Sequence, residues 1–425
     1  MTLLLLSLTV LLLLGIPIAY ALGLSGYIYF LVDQPLLLAI LPQRLYSGME
    51  SYSMIALPLF CLMGYLMNAG GITARLIDFS LLFVGRFRGG LGLVNVLSSM
   101  IFGGISGSSV SDTASVGAIL IPEMQKKGYS VEYSSGITVA SSTMGMIIPP
   151  SVPMIIYALA AEQSVGRLFL ASAIPGILIG ILMLVITLVI SYRKKLPREA
   201  AQLSTTEKKK CLQRAILALI MPIFVIGSIV LGVATATEAA AIGVLYSLLV
   251  GFFVFKTLRL RDIPELAQKA IITSANVMII IAFSKLYIWI LALERVPQML
   301  ANGVMNLGLP TSAVFIAVIL IILVCGTFID VSPAILLLTP VFLPLVAAFG
   351  MDGIQFGVIL ITGLAVGLVT PPVGMCLNVA SAISKLEIGA IFTAALPFLA
   401  ANLLTLLLIA FVPALTHWLP SLLMP

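Results

Sequence analysis

Charge is what this 425-residue chain has least of: 9% of its residues are Asp, Glu, Lys or Arg, and 61% are hydrophobic. A soluble domain carries about 25% charge, so a soluble globular fold is excluded. Histidine is nearly absent too, with His417 alone, beside Trp418 at what reads as a membrane interface. One peripheral histidine cannot serve several metal sites, and the H-E-x-x-H of zinc proteases is missing. A serine nucleophile in "GISGSS" (104–109) would need a base within reach, and His417 is remote in sequence. There is no P-loop, so ATP does not drive the chain directly. Cys61, Cys211, Cys325 and Cys376 are far apart and form no C-x-x-C, which argues against a disulfide or zinc framework. Neither an enzyme nor an organic cofactor is expected.

Long apolar runs, by contrast, recur from end to end, and the mean hydropathy is +1.21. Roughly 20 such residues cross a bilayer as a helix. The short alternating segments of a β-barrel are not seen. The expected fold class is an all-α polytopic membrane protein in contact with lipid. The start, "MTLLLLSLTVLLLLGIPIAYALGLSG", lacks a basic n-region and reads as a retained membrane segment. The formal charge of +6 reflects membrane orientation rather than nucleic-acid binding, because the basic residues flank the spans.

The main polar interruption, 191–214, holds eight of the 22 basic residues and reads as a cytoplasmic linker. It separates two halves, 1–190 and 215–425, which match at an offset of 222 residues. Gly104 pairs with Gly326, Pro122 with Pro344, Gly145 with Gly367, Pro149-Pro150 with Pro371-Pro372, and Pro175 with Pro397. Shared membrane composition would repeat leucines, not a register of helix breakers. Arg75, Arg86 and Arg88 precede the segment 92–122 and Lys126-Lys127 follow it, so both flanks face the cytoplasm. That segment is a re-entrant hairpin. Its counterpart, 311–344, has almost no basic flank and reads as entering from the other side. The halves are therefore expected to be inverted repeats, as in many secondary transporters. Each adds a polar arm lying in the interface, 35–50 and 257–270, and a broken helix, 131–165 and 354–383.

Four polar breaks carry the chemistry. The hairpin tips are "SGSSVSD" (106–112) and "GTFIDVSPA" (326–334); the broken helices hold "STMGMIIPPS" (142–151) and "GLAVGLVTPPVG" (363–374). Irregular backbone at membrane depth is tolerated only where protein or a wet cavity satisfies it. Unwound helices expose carbonyl oxygens and helix ends, which suit a hard cation and an anion. A hairpin tip facing a proline break in each half predicts two sodium sites. Asp330, in the second tip, costs about 2.5–3.5 kcal/mol at the bilayer centre and reads as functional. Asp112 reads as a cap of the outgoing hairpin helix, Glu238 as structural, and Lys285 as snorkelling or paired internally.

The stretches "NAGGITARLIDF" (68–79), "SGSSVSDTASVGAILIP" (106–122), "IIPPSVPMIIY" (147–157), "ATATEAAAIG" (234–243) and "LVTPPVGMCLNV" (368–379) resemble the large membrane subunit of tripartite ATP-independent periplasmic (TRAP) transporters. Ala236 stands where that family usually has proline. The resemblance implies a sodium-coupled elevator-type importer of carboxylates, such as sialic acid, C4-dicarboxylates or sugar acids, in the bacterial cytoplasmic (inner) membrane. It also implies two partners, a small four-helix membrane subunit and a periplasmic substrate-binding protein. Carried over by motif, Ser106, Gly107, Ser108, Gly145, Ile148 and Pro150 form one sodium site. Gly326, Asp330, Gly367, Val369, Thr370 and Pro372 form the other, and Ser106, Ser151 and Asp330 are candidates for substrate. A passive channel or a receptor scaffold for the binding protein is the alternative.

Overall fold

The computed structural model describes residues 2–50, 52–198 and 205–424. Among these the chain is all-helical, with no strand. Its first half runs α1 (Thr2–Leu13), α2 (Ile18–Asp33), α3 (Leu41–Met49), α4 (Ala56–Ala69) and α5 (Ile72–Val84). Then come the hairpin α6 (Gly90–Ser106) and α7 (Ser109–Lys126), and a broken helix of α8 (Val131–Ser142), α9 (Met144–Ile147) and α10 (Val152–Ala161). The half closes on α11 (Val165–Arg193). The second half repeats this order: α12 (Thr205–Val230), α13 (Ala236–Leu249), α14 (Ile263–Leu293) and α15 (Val296–Asn306). The second hairpin is α16 (Thr311–Phe328) and α17 (Val331–Ala348); α18 (Gly353–Gly367) and α19 (Met375–Ser384) form the second broken helix, before α20 (Ile388–Phe411) and α21 (Ala414–Leu423). Both ends of α17 lie 222 residues after the corresponding ends of α7. By length and composition, seven of the described helices can cross a membrane, or up to nine if each bent pair counts as one span. The chain is a multi-pass membrane protein.

Two differences from the sequence reading have local causes. The second arm, 257–270, is not a separate element: its helical part is a 3-10 turn at Leu260–Asp262 and the first turns of α14, which continues unbroken through the following span. No glycine or proline follows Pro264 within α14, so nothing interrupts the ladder of hydrogen bonds. The first arm does stand apart, as a 3-10 turn at Pro35–Ile40 followed by α3. Residues 191–193 and 205–214 of the linker are helical, in α11 and α12, and 199–204 lie outside the described residues.

The packing is crosswise. Helix α7 packs on α19 while α17 packs on α10, so the outgoing helix of each hairpin meets the far part of the other half's broken helix. In the same way α4 packs on α13 while α14 packs on α2. Such reciprocal contacts are those of a two-fold arrangement. The main core runs continuously through both hairpins and both broken helices, while a separate cluster ties α1, α2 and the arm residues Leu41 and Leu45 to the end of α14. There the Arg44 guanidinium sits 4.9 Å from the Trp289 ring centre, a cation–π contact.

The hairpin bases lie at opposite ends of the body. Gly89, at the start of α6, donates its N–H to Pro197 O (2.8 Å), which places the first base beside the end of α11. The Tyr157 hydroxyl near the end of α10 donates to Gly353 O, at the base of the second hairpin. Between these two places the broken helix traverses residues 131–161, roughly 40 Å at 1.5 Å per residue.

Candidate functional site

The first hairpin turns over two residues. Gly107 takes a left-handed conformation (φ 63°) to end α6, and Ser108 caps α7 by accepting from Ser111 N at 3.5 Å. Asp112 is therefore not the cap: it lies one turn inside α7, fully buried, and accepts a hydrogen bond from the Ser106 hydroxyl. The second hairpin turns without glycine. Ile329 is extended and Asp330 caps α17, its Oδ1 accepting from Val331 N at 2.8 Å.

Each incoming hairpin helix meets its broken helix backbone to backbone. A Cβ on Gly103 would lie 3.0 Å from Gly145 Cα, and one on Gly326 would lie 3.2 Å from Gly367 Cα. The first broken helix bends by 42° across Ile148–Ser151, and the second is interrupted from Leu368 to Gly374. Both Pro-Pro peptide bonds are cis. Each proline withholds a donor from the turn before it. Side chains and later amides meet part of that loss. The Ser151 hydroxyl donates to Met146 O (2.6 Å), Thr370 N donates to Gly367 O (2.9 Å), and Cys376 N donates to Leu368 O (3.2 Å).

These parts enclose a cavity of about 450 Å³. Both tips reach it, through Ser106–Ser111 and Asp330–Ser332, and so do both breaks, through Met146, Val152, Leu368 and Met375. Its remaining wall is Cys61, Gly64 and Tyr65 of α4 with Thr273 and Val277 of α14. The Tyr65 and Thr273 hydroxyls are 3.0 Å apart and join those two helices. Residues at the N-termini of α7, α10, α17 and α19 all line the space. A helix N-terminus behaves as about half a positive charge and presents free N–H groups. Among the lining residues the one carboxylate is Asp330, and there is no Lys, Arg or His.

Ser106, Gly107, Ser108 and Asp330 thus line the cavity, whereas the other candidates do not. Gly145 is buried against the hairpin, Ile148 packs on Gly176, and Pro150 O lies 3.5 Å from where a Gly107 Cβ would be. Gly326 and Gly367 form the backbone contact, Val369 is buried, and the Thr370 hydroxyl donates to Val366 O (2.8 Å). Pro372 is exposed, and Ser151 is buried with its hydroxyl committed to Met146 O. The wall from α4 and α14 had no signal in the sequence, because its residues sit inside ordinary spans and reach the site only through packing. Away from the cavity, Lys285 Nζ pairs with Glu162 Oε1 at 3.2 Å, and Thr235 with Glu238 forms a capping box that starts α13. His417 Nδ1 is 3.9 Å from Asp352 at the base of the second hairpin.

The sequence model described as "Tripartite ATP-independent periplasmic transporter, DctM component" matches residues 5–415. The chain belongs to this family. It is 38% identical over 401 residues to the C4-dicarboxylate TRAP transporter large permease protein of Pseudomonas aeruginosa, covering 94% of each chain. It is 35% identical over 408 residues to the sialic acid TRAP transporter large permease protein of Vibrio cholerae, covering 96% of this chain and 95% of that one. The 2,3-diketo-L-gulonate large permease protein of Escherichia coli is 34% identical, with 94% of each chain covered. These relatives are permeases, not enzymes. The fold is shared with the YdaH transporter of Alcanivorax borkumensis, with a TM-score of 0.62 at 14% identity over 91% of this chain and 90% of that one.

Proposed function

We propose that this chain is the large permease subunit of a sodium-coupled importer of an organic acid, fed by a periplasmic binding protein and working by an elevator movement. The observation that carries this reading is the charge pattern of the cavity. Four helix N-termini favour an anion, each by about 0.3–2 kcal/mol. Asp330 opposes a second negative charge in the same space. With no basic side chain on the wall, a mobile cation relieves that repulsion, so cation and carboxylate enter together. Oxygen donors at the tips and breaks suit sodium, held by Ser106, Gly107, Ser108, Gly145, Ile148 and Pro150 in one half. In the other they are Gly326, Asp330, Gly367, Val369, Thr370 and Pro372. The substrate then sits between the tips, against Ser106 and Asp330.

The relatives are named for a C4-dicarboxylate, a sialic acid and a diketo-sugar acid, which supports a carboxylate substrate. The crosswise packing and the opposed hairpin bases support inverted repeats. The cavity wall has two parts: interlocked hairpins with broken helices, and α4 with α14, the latter packed on the arm helix α3. That division suits a body sliding against a fixed frame. The family's tripartite description supports a small membrane subunit and a soluble binding protein as partners.

Uptake by proteoliposomes containing the permease and both partners tests the reading. A labelled carboxylate should accumulate only with an inward sodium gradient and the binding protein. Equal uptake when potassium replaces sodium would refute the coupling.

A further inference from the structure

We propose that Asp112 is the charged ligand of a small-cation site in the first half, set behind the cavity wall, so that each hairpin supplies one carboxylate. The proposal deepens the sodium-coupled reading and rests on it. The Asp112 side chain is fully buried. Its Oδ1 accepts from the Ser106 hydroxyl, but its Oδ2 has no hydrogen-bond partner among the described residues. Oδ2 is aimed at Gly145: a Cβ built there would fall on it. One turn earlier on the same helix, Ser109 is 1% exposed and lines the cavity, and its hydroxyl also lacks a partner.

Two buried oxygens of one helix turn, Asp112 Oδ2 and Ser109 Oγ, are thus unpaired, and the first lies at the contact between the hairpin and the broken helix. A buried carboxyl stays charged only when it is paired or holds a metal ion, and otherwise takes up a proton. No basic residue of the described chain pairs with Asp112, and the Ser106 hydroxyl supplies a hydrogen bond without a charge. Hard oxygen donors select a sodium-like cation over a soft metal. Pro149, four residues after Gly145, cannot donate to the Gly145 carbonyl, which leaves that oxygen without its helical donor on the residue that faces Oδ2.

The repeat register hides this role. The position matching Asp112 in the second half is Ala334, and the position matching Asp330 is Ser108. The halves therefore place their carboxylates differently. Asp330 faces the cavity from a helix cap, whereas Asp112 reaches the tip through Ser106, whose hydroxyl oxygen also accepts from Ser108 N at 3.2 Å. A cation held by Asp112 fixes the orientation of Ser106 and, through it, the turn that touches substrate.

The test is the melting temperature of the purified full-length protein in nanodiscs, titrated with sodium at constant ionic strength against potassium. The wild type should be stabilised saturably and selectively by sodium, as a ligand of the folded state is. Asp112→Asn keeps the shape and removes the charge, and should raise the sodium midpoint at least about tenfold. Ser109→Ala should raise it less, in the same direction. A normal wild-type response with an unchanged midpoint in Asp112→Asn overturns this proposal alone. If that variant does not fold, an unchanged midpoint in Ser109→Ala overturns it instead. A wild type indifferent to sodium overturns both this proposal and the coupled reading.

Discussion

Gly367→Ala puts the backbone contact between hairpin and broken helix to a quantitative test. Gly367 ends α18, and a Cβ there would lie 2.7 Å from Gly326 O and closer still to Gly326 C and Cα. Unstrained carbon contacts begin near 3.5 Å and the nearest carbon, Gly326 C, would be at 2.4 Å, so α16 and α18 must separate by roughly 1.1 Å. The atoms in the way are backbone, so no side-chain rotamer can relieve the clash. Forcing a methyl group into a packed contact costs about 1–3 kcal/mol. At 1.4 kcal/mol per factor of ten, that is roughly five- to 150-fold if the whole penalty falls on the competent geometry of the second tip. Sodium-driven uptake and thermal melting of the reconstituted variant read the two effects. Gly389→Ala is the control, since nothing lies within 4 Å of a Cβ there. It should melt at or slightly above the wild-type temperature and transport normally. Should Gly367→Ala match Gly389→Ala in both assays, the close contact has no role in the site.

Three further outcomes are expected. Asp330→Asn should insert and melt normally, because asparagine caps a helix as well as aspartate does, yet lose most sodium-dependent uptake; normal sodium-dependent uptake would remove Asp330 from the site. In a background without native cysteines, Phe87→Cys and Met305→Cys should react with an impermeant thiol reagent from opposite sides of the membrane, and labelling from one side would end the inverted-repeat reading. Thr235→Ala breaks the capping box of α13 and should lower stability by about 0.5–2 kcal/mol in denaturation, with uptake per folded molecule unchanged.

How far the site could be read without coordinates differs from residue to residue. Pro149-Pro150 and Pro371-Pro372 announce both broken helices, because no other residue pair withholds two successive donors. The tip at Gly107 was legible for the same kind of reason, as a glycine between serines in an apolar run. Asp112 was not. A carboxylate four residues past a turn looks like a cap, and only the fold shows that Ser108 caps instead while Asp112 turns inward to Ser106. The fusion of the second arm into α14 was legible in principle from the missing breakers, but polarity at 257–270 masked it.

Local chemistry is what the sequence determined by itself: which segments are apolar enough to leave water, where the backbone must break, and which half repeats which. Those properties depend on residues close together along the chain and survive without knowledge of packing. The tertiary structure alone decided what faces what. It brought Tyr65 and Thr273, more than two hundred positions apart, to one cavity wall, and gathered the first residues of four helices around one cavity with Asp330. Pairing between distant elements is set by the fit of whole helix faces, and no short stretch of sequence records that fit.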